Sequence, residues 1–281
     1  MPSSNLPITS REYKLTLDTT RFHDRAGVSG ELLELVRSVI DRADGVYVEQ
    51  SAIDDDKGEK TRRTWYLDTP GKAFREHGFI LRVRREKEDE FALNLKFRGP
   101  DRYLSASADV AYAGAGGKPE SKFEEDVLPP FVSQFSRSTS VKKLKDEPNP
   151  ATVAGAAVLF PGLGALGIAD ETLVEVTDGF KAFEVVRKMG GFTFAGGPVI
   201  KMSLSFWYLA EAMKGYPLIA ELSYDYDAPD IDALLANPTL LEEFPLPTVR
   251  GAYAVFRALQ LHGAWLDAAG TTKSAFATGG L

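Results

Sequence analysis

Two neighbouring segments of the chain carry cations at every second position. Arg82 and Arg84 alternate with apolar residues in HGFILRVRRE, and Lys96 and Arg98 do so in ALNLKFRG. Because the side chains of a β-strand alternate between its two faces, each pair of cations lies on one face of a strand. Guanidinium and ammonium groups bind phosphate oxygens, and arginine can bind them with two parallel hydrogen bonds. The spacing therefore indicates a local anion site.

Carboxylates follow the same alternation in other segments. Glu12 and Lys14 share one side of REYKLTL, and Glu221 and Asp225 share one side of AELSYD. Lys201 opens a further alternating segment, KMSLSF. Carboxylate oxygens are the ligands that Mg²⁺ and Mn²⁺ prefer in proteins. If these faces meet the cationic ones, a phosphate-bearing ligand and a divalent cation can share one site.

Two segments with helical periodicity indicate which strand faces are covered. The segment 29–43 has an apolar stripe with Ser29 as its expected N-cap, and 248–267 repeats apolar residues in steps of three and four. Such stripes need an apolar sheet surface to pack on. If the helices cover the outside of a closed sheet, the charged strand faces turn inward. Buried charges cost several kcal/mol unless they are paired, so we expect a wet tunnel lined by both signs.

Composition limits the class of ligand and the compartment. The formal net charge of −7 argues against a general nucleic-acid binder, which usually carries a basic excess. The chain contains no cysteine and three histidines, which excludes thiolate metal sites and disulfides and disfavours imidazole metal sites. The first residues lack the basic start and apolar run of a secretory signal, so we expect a cytoplasmic protein.

One uncharged segment, 151–169, approaches the length of a membrane span. Its glycines and the central Pro161 favour a buried helical insertion or a turn instead, and no membrane association is expected. We therefore predict a single domain over 1–268, with this apolar insertion and a C-terminal helix over 248–267. Residues 269–281 read as a loose tail.

The segment WYLDTPGKAFREHGFILRVRRE resembles the signature of the CYTH family, also called the triphosphate tunnel metalloenzymes. In that signature a strand ending in a Y-F-D-T-like motif precedes a short helix and then L-R-x-R. The resemblance implies an α+β fold, with an eight-stranded antiparallel barrel that has a charged interior and is wrapped by α-helices. It covers roughly residues 8–125 and 217–227. The strands over 173–208 match poorly.

The resemblance also implies roles for single residues. Expected phosphate contacts are Lys14, Arg82, Arg84, Lys96 and, from the poorly matching strands, Arg187 and Lys201. Expected ligands of Mg²⁺ or Mn²⁺ are Glu12, Glu221 and Asp225. Glu124, which resembles the glutamate of an R-x-E-like strand, would orient an attacking water, and Lys14 would assist the reaction. The implied function is metal-dependent hydrolysis of a triphosphate compound, such as inorganic triphosphate, a short polyphosphate or an organic triphosphate.

The chain also departs from the family pattern. Ser10 replaces the first glutamate of the E-x-E-x-K strand, and Ser223 stands between Glu221 and Asp225 where another carboxylate is usual. A hydroxyl brings no charge to a metal, so we expect weaker metal occupancy. Two main alternatives therefore stay open: an adenylate cyclase of class IV type, and a non-catalytic polyphosphate or nucleotide binder. A tunnel converted to a structural role and the formation of a homodimer are also left open.

Overall fold

The computed structural model describes most of the chain in one continuous fold. The described residues are 6–53, 59–229, 231–236, 244–267, 270 and 272–277.

Ten β-strands, β1 to β10 in chain order, account for the sheet. They are Ser10–Leu17, Val46–Val48, Glu59–Asp68, Phe79–Lys87, Glu90–Gly99, Lys118–Leu128, Val132–Leu144, Glu175–Thr193, Ile200–Tyr208 and Ile219–Asp227. Their order in the sheet is β2-β8-β3-β4-β5-β7-β6-β1-β10-β9, and β8 also pairs with β9. The second pairing closes nine strands into a barrel and leaves β2 beside β8 as an extra strand.

The barrel confirms the predicted α+β class but has one more strand than the expected eight. Strands β1 and β6 run parallel to each other, whereas the other neighbouring strands of the barrel are antiparallel. A closed sheet with an odd number of strands must contain at least one parallel pair, because strand direction cannot alternate all the way round. The insertion of β1 between β6 and β10 provides that pair.

Nine α-helices are found in the described residues, and two 3₁₀ turns accompany them. In chain order, α1 to α9 are Arg25–Arg42, Gln50–Ile53, Ala73–Glu76, Arg102–Ser107, Val153–Leu159, Pro161–Gly164, Ile231–Ala236, Leu246–Gln260 and Lys273–Ala277. The 3₁₀ turns are Thr19–Arg21 and Gly263–Trp265.

The two long helices cover the outside of the barrel as predicted. Leu32, Val36 and Val39 of α1 share a buried cluster with Tyr13 and Leu15 of β1, and α8 adds its own apolar face to the same cluster. A second cluster on the outside joins β3, β4 and β5 to α3, α5 and α6. The apolar strand faces are therefore outside the barrel, and the charged faces point into it.

Several boundaries differ from the expectations. Helix α1 begins at Arg25 with Asp24 as its N-cap, because the Asp24 carboxylate accepts from the amide of Gly27; Ser29 lies inside the helix and donates to the carbonyl of Arg25. The apolar segment 151–169 contains the helices α5 and α6. The C-terminal helix ends at Gln260. Within the expected tail, Lys273–Ala277 forms α9.

None of the helices in the described ranges combines the length and the apolar character that a membrane crossing requires.

Candidate functional site: a charged tunnel

The barrel encloses a cavity of about 350 Å³ whose wall is built from the charged strand faces. This volume lies within the range of roughly 300–1,000 Å³ that is usual for small-molecule sites. The cations on its wall are Lys14, Arg62, Arg82, Arg84, Lys96, Arg98, Lys122 and Lys273. The carboxylates on its wall are Glu12, Glu124, Asp126 and Glu221. The wall therefore carries an excess of positive charge.

Arg82 and Arg84 are the least neutralised cations of the wall. Both belong to β4, and no carboxylate in the described part of the chain lies within ion-pair distance of Arg82. Among the carboxylates of the described residues, Arg84 reaches only Glu184, at 3.9 Å. Burial, together with the neighbouring Arg62 and Arg82, lowers the pKa of Arg84 to about 9, so the group stays charged at neutral pH. The Nε atoms of Arg82 and Arg84 are buried without a hydrogen-bond partner. Among the described residues, this part of the tunnel therefore carries more positive than negative charge.

Asp126 of β6 binds two cations in the adjoining part of the wall. Its carboxylate lies 2.8 Å from Lys14 Nζ and 2.7 Å from the guanidinium of Arg98, and Lys14 is also 2.9 Å from Glu12. Burial alone would raise the pKa of Asp126, but Lys14, Lys96 and Arg98 hold it far below its usual value. The predicted phosphate lysine and metal carboxylate of β1 thus form an ion pair with each other.

Lys96 and Glu124 face each other across the tunnel wall. Lys96 Nζ donates to Glu124 Oε2 at 3.1 Å, and both side chains are about one-sixth exposed. Burial would raise the pKa of Glu124, but the charge of Lys96 contributes to holding it below the usual value. Glu124 is therefore ionised at neutral pH and can accept hydrogen bonds.

Glu184 of β8 is a fully buried carboxylate that the sequence did not reveal. It accepts a hydrogen bond from Arg62 Nε at 2.6 Å and lies 3.3 Å from Lys273 Nζ. Burial opposes its ionisation, but Arg62, Lys273 and Arg84 hold the pKa of Glu184 well below the usual value.

Asp225 lies toward one end of β10, next to Glu12 in the β1–β10 ladder. Burial, the neighbouring Glu12 and Asp227 raise its pKa to about 7. Ser223, between Asp225 and Glu221, exchanges a 3.1 Å hydrogen bond with Ser203 of β9. Ser10 is buried and pairs in register with Glu124 and Asp227. Both serines thus occupy positions beside the carboxylates.

The carboxylates do not form the set of ligands that a protein-bound Mg²⁺ or Mn²⁺ needs. No three acidic or histidine side chains come together around one point among the described residues. Glu12 pairs with Lys14, and Glu221 pairs with Lys273 at 3.0 Å, so an ammonium group already lies against each of them. Divalent cations of this kind usually take six or more oxygen ligands. The residues present do not fit a metal held by the protein alone.

Two of the predicted phosphate contacts lie away from the cavity. Arg187 is on the opposite face of β8 from Glu184 and lines a separate surface cleft with Arg25 and Glu59. Lys201 is exposed and pairs in register with Asp225. The error for Arg187 arose because the poorly matching strand gave no indication of which parity faced inward.

Five charged side chains of the wall were absent from the predicted phosphate contacts, metal ligands and catalytic residues: Arg62, Arg98, Lys122, Asp126 and Lys273. Arg98 was placed with Lys96 in the cationic alternation but was given no role of its own. Lys122 and Asp126 share the parity of Glu124, so alternation alone could have identified both. Arg62 lies in the first half of β3, where the residues EKTRRT contain no apolar side chain and so show no alternation that would predict a strand. Lys273 lies in the expected tail, where no local signal could have placed it.

Comparisons with known proteins give structural matches only. No protein-family model matches the chain, and no curated protein does so either. Among solved structures, a protein from Hippeastrum, described as an adenylyl cyclase candidate with a dominant triphosphatase activity, matches at 13% identity and a TM-score of 0.46. The match covers 98% of this chain and 97% of that chain.

Two bacterial structures are also similar, and both are described as adenylate cyclase candidates. The one from Bacillus halodurans has 13% identity and a TM-score of 0.40, and the match covers 96% of this chain and 97% of that chain. The one from Vibrio parahaemolyticus has 13% identity and a TM-score of 0.35, with 94% and 92% covered. With such identities and scores, the function must be argued from the residues of the tunnel itself.

Proposed function

We propose that this chain binds linear triphosphate compounds in its tunnel and hydrolyses them. The observation that carries the proposal is the pair Arg82 and Arg84 in the wall of the tunnel cavity. Among the described carboxylates, only Glu184 lies within ion-pair distance of either arginine, at 3.9 Å from Arg84. A buried cation is costly unless an anion compensates it. A ligand with several phosphate charges would compensate both arginines at once.

The wall offers further contacts along the same cavity. Lys96 lies beside Arg82 and Arg84 on the neighbouring strand β5, and Lys14 reaches the cavity from β1. An elongated phosphate chain, rather than a single phosphate, matches cations that come from several strands. Arginine favours bidentate contacts with phosphate oxygens, and lysine acts as a point charge.

Hydrolysis would depend on positioning and charge stabilisation. In phosphoryl transfer, negative charge shifts between oxygens, and cations placed around them lower the barrier. Glu124, ionised and next to Lys96, can accept a hydrogen bond from a water and orient it toward a phosphate held by the arginines. The Mg²⁺ or Mn²⁺ that the family resemblance implies stays a prediction, and no step is assigned to it here.

A second candidate function is polyphosphate or nucleotide binding without turnover. It is favoured by the absence of a metal-binding set among the described side chains, where Ser10 and Ser223 occupy positions expected to hold carboxylates. This candidate needs only the cations of the wall.

One experiment separates these functions. The wild-type chain is incubated with inorganic triphosphate, thiamine triphosphate, ATP or long polyphosphate, with Mg²⁺, Mn²⁺ or EDTA, and released phosphate and cyclic AMP are both measured. Affinity for inorganic triphosphate is measured in parallel by calorimetry. Phosphate release supports the hydrolase, cyclic AMP supports the cyclase, and binding without either product supports the binding module.

Variants test whether the tunnel is the site. Loss of a charged hydrogen bond costs about 1.5–3 kcal/mol, so Arg82→Ala should weaken triphosphate binding roughly 10- to 150-fold. Arg85→Ala is the matched control, because Arg85 belongs to the same strand but has the opposite parity and donates to the carbonyl of Glu88. Equal affinity of Arg82→Ala and the wild type would contradict the proposal.

A further inference from the structure

Lys273 brings a positive charge into the tunnel from outside the barrel strands. Its Nζ lies 3.0 Å from Glu221 Oε1 and 3.3 Å from Glu184 Oε1. The two carboxylates are almost completely buried, and the side chain of Lys273 is 18% exposed. One ammonium group therefore bridges carboxylates from two strands, β8 and β10.

The helix that carries Lys273 is anchored by apolar contacts. Phe276 packs edge-on against Phe180, with ring centroids 5.9 Å apart, and Ala277 is buried in a cluster with Tyr66 and Trp207. Tyr66 and Trp207 also line the cavity, so α9 covers this end of the tunnel. The burial of these groups holds Lys273 in place and distinguishes it from a surface lysine with a chance contact.

Glu221 depends on Lys273 for its neutralisation. Glu184 also pairs with Arg62, but Lys273 is the one cation within ion-pair distance of Glu221 in the part of the chain that the structure describes. A carboxylate so deeply buried needs a compensating cation. At this position a divalent metal would provide that charge, but Ser223 follows Glu221 on the same face and no third acidic ligand completes a site.

We propose that Lys273 is the built-in cation of the Glu184–Glu221 pair and replaces a divalent metal there, so that triphosphate binding does not require a metal ion at Glu221. This inference rests on the proposed function. As a consequence, α9 supplies the positive charge that the two buried carboxylates need. Removal of the ammonium would leave Glu221 with an uncompensated negative charge that repels the phosphates.

The test compares Lys273→Gln and Lys273→Arg with the wild type. Calorimetric titration with inorganic triphosphate is carried out in EDTA and again in Mn²⁺. In EDTA, we expect wild type and Lys273→Arg to bind similarly and Lys273→Gln to bind at least about 10-fold more weakly, since unit charges a few ångströms apart near a protein surface interact by a few kcal/mol. In Mn²⁺, the ratio of the Kd of Lys273→Gln to the Kd of the wild type should fall by at least about threefold.

A double variant controls for loss of structure. Glu221→Gln combined with Lys273→Gln removes both charges, so its affinity in EDTA should return to within a few-fold of the wild type and should show no extra response to Mn²⁺. If Lys273→Gln binds like the wild type in EDTA, or if its gap to the wild type is the same with and without Mn²⁺, the inference is overturned. If the wild type binds triphosphate neither in EDTA nor in Mn²⁺, the proposed function is overturned, and the inference with it.

Discussion

Replacement of Arg84 by methionine should stabilise the empty protein while it weakens ligand binding. Burial and two neighbouring guanidinium groups lower the pKa of Arg84 from its ordinary value to about 9. At about 1.4 kcal/mol per pKa unit, this shift corresponds to at most ~5 kcal/mol of unfavourable energy for the charged form. The side chain is 21% exposed, so water screens part of it, and we expect a net gain of about 1–2 kcal/mol.

The assay is thermal unfolding in phosphate-free buffer of low ionic strength at pH 7.5. For a chain of this size a gain of 1 kcal/mol raises Tm by roughly 2–4 °C, so Arg84→Met should unfold about 2–8 °C above the wild type. Glu184 keeps Arg62 and Lys273 as partners in this variant, so no buried carboxylate becomes unpaired. Arg85→Met serves as the control on the other face of β4.

When inorganic triphosphate is added to the same samples, the wild type should have a higher Tm than Arg84→Met. A ligand present at 100 times its Kd stabilises the folded state by about 2.7 kcal/mol, and the wild type should show this shift. Arg84→Met should lose most of it. A variant that is less stable than the wild type in the absence of triphosphate would refute the argument, because Arg84 would then be well compensated in the empty tunnel.

Three further predictions concern the same fold. Asp126→Asn leaves two buried cations without their shared carboxylate and should reduce the free energy of unfolding by roughly 3–5 kcal/mol in urea titrations, whereas Glu120→Gln, in an exposed pair, should change it by less than ~1 kcal/mol. The pKa of Asp225 is raised to about 7, so between about pH 4 and 7 the folded chain binds more protons than the unfolded chain and wild-type stability falls as pH rises. Asp225→Asn should remove this fall and exceed the wild type at pH 8 by about 1–2 kcal/mol, with little difference at pH 4; parallel pH profiles would contradict it. Gly251→Ala would bring a Cβ into steric overlap with ring carbons of Phe194 and should lower Tm through a loss of about 1–3 kcal/mol, whereas Gly30→Ala, in open space on α1, should not.

Alternation along single strands predicted much of the tunnel. The parity of Lys14, Arg82, Arg84 and Lys96 is sufficient to put these residues on one face, and the apolar stripes of the long helices indicate that the other face is covered. Both are local properties of the sequence. The inward orientation of these cations was therefore accessible without the structure.

The remaining wall residues depend on contacts that no local pattern contains. Strand β8 is 19 residues long, and both Glu184 and Arg187 pair in register with β3 and β9, so their direction is set by two distant partners. Lys273 reaches the cavity only because Phe276 and Ala277 dock on Tyr66 and Trp207. The strand number also escaped prediction, since the place of β1 in the barrel is fixed by residues more than a hundred positions away.

The position of β1 has a consequence for biosynthesis. This strand leaves the ribosome well before its neighbours in the barrel, residues 124–127 and 220–227. At about 5–20 residues per second, translation delivers the second neighbour roughly 10–40 s after the strand itself. During that interval Tyr13, Leu15 and Leu17 lack their final covering and both strand edges are unpaired, which is a state that invites aggregation. We expect the nascent chain to need shielding by a chaperone until β10 has emerged.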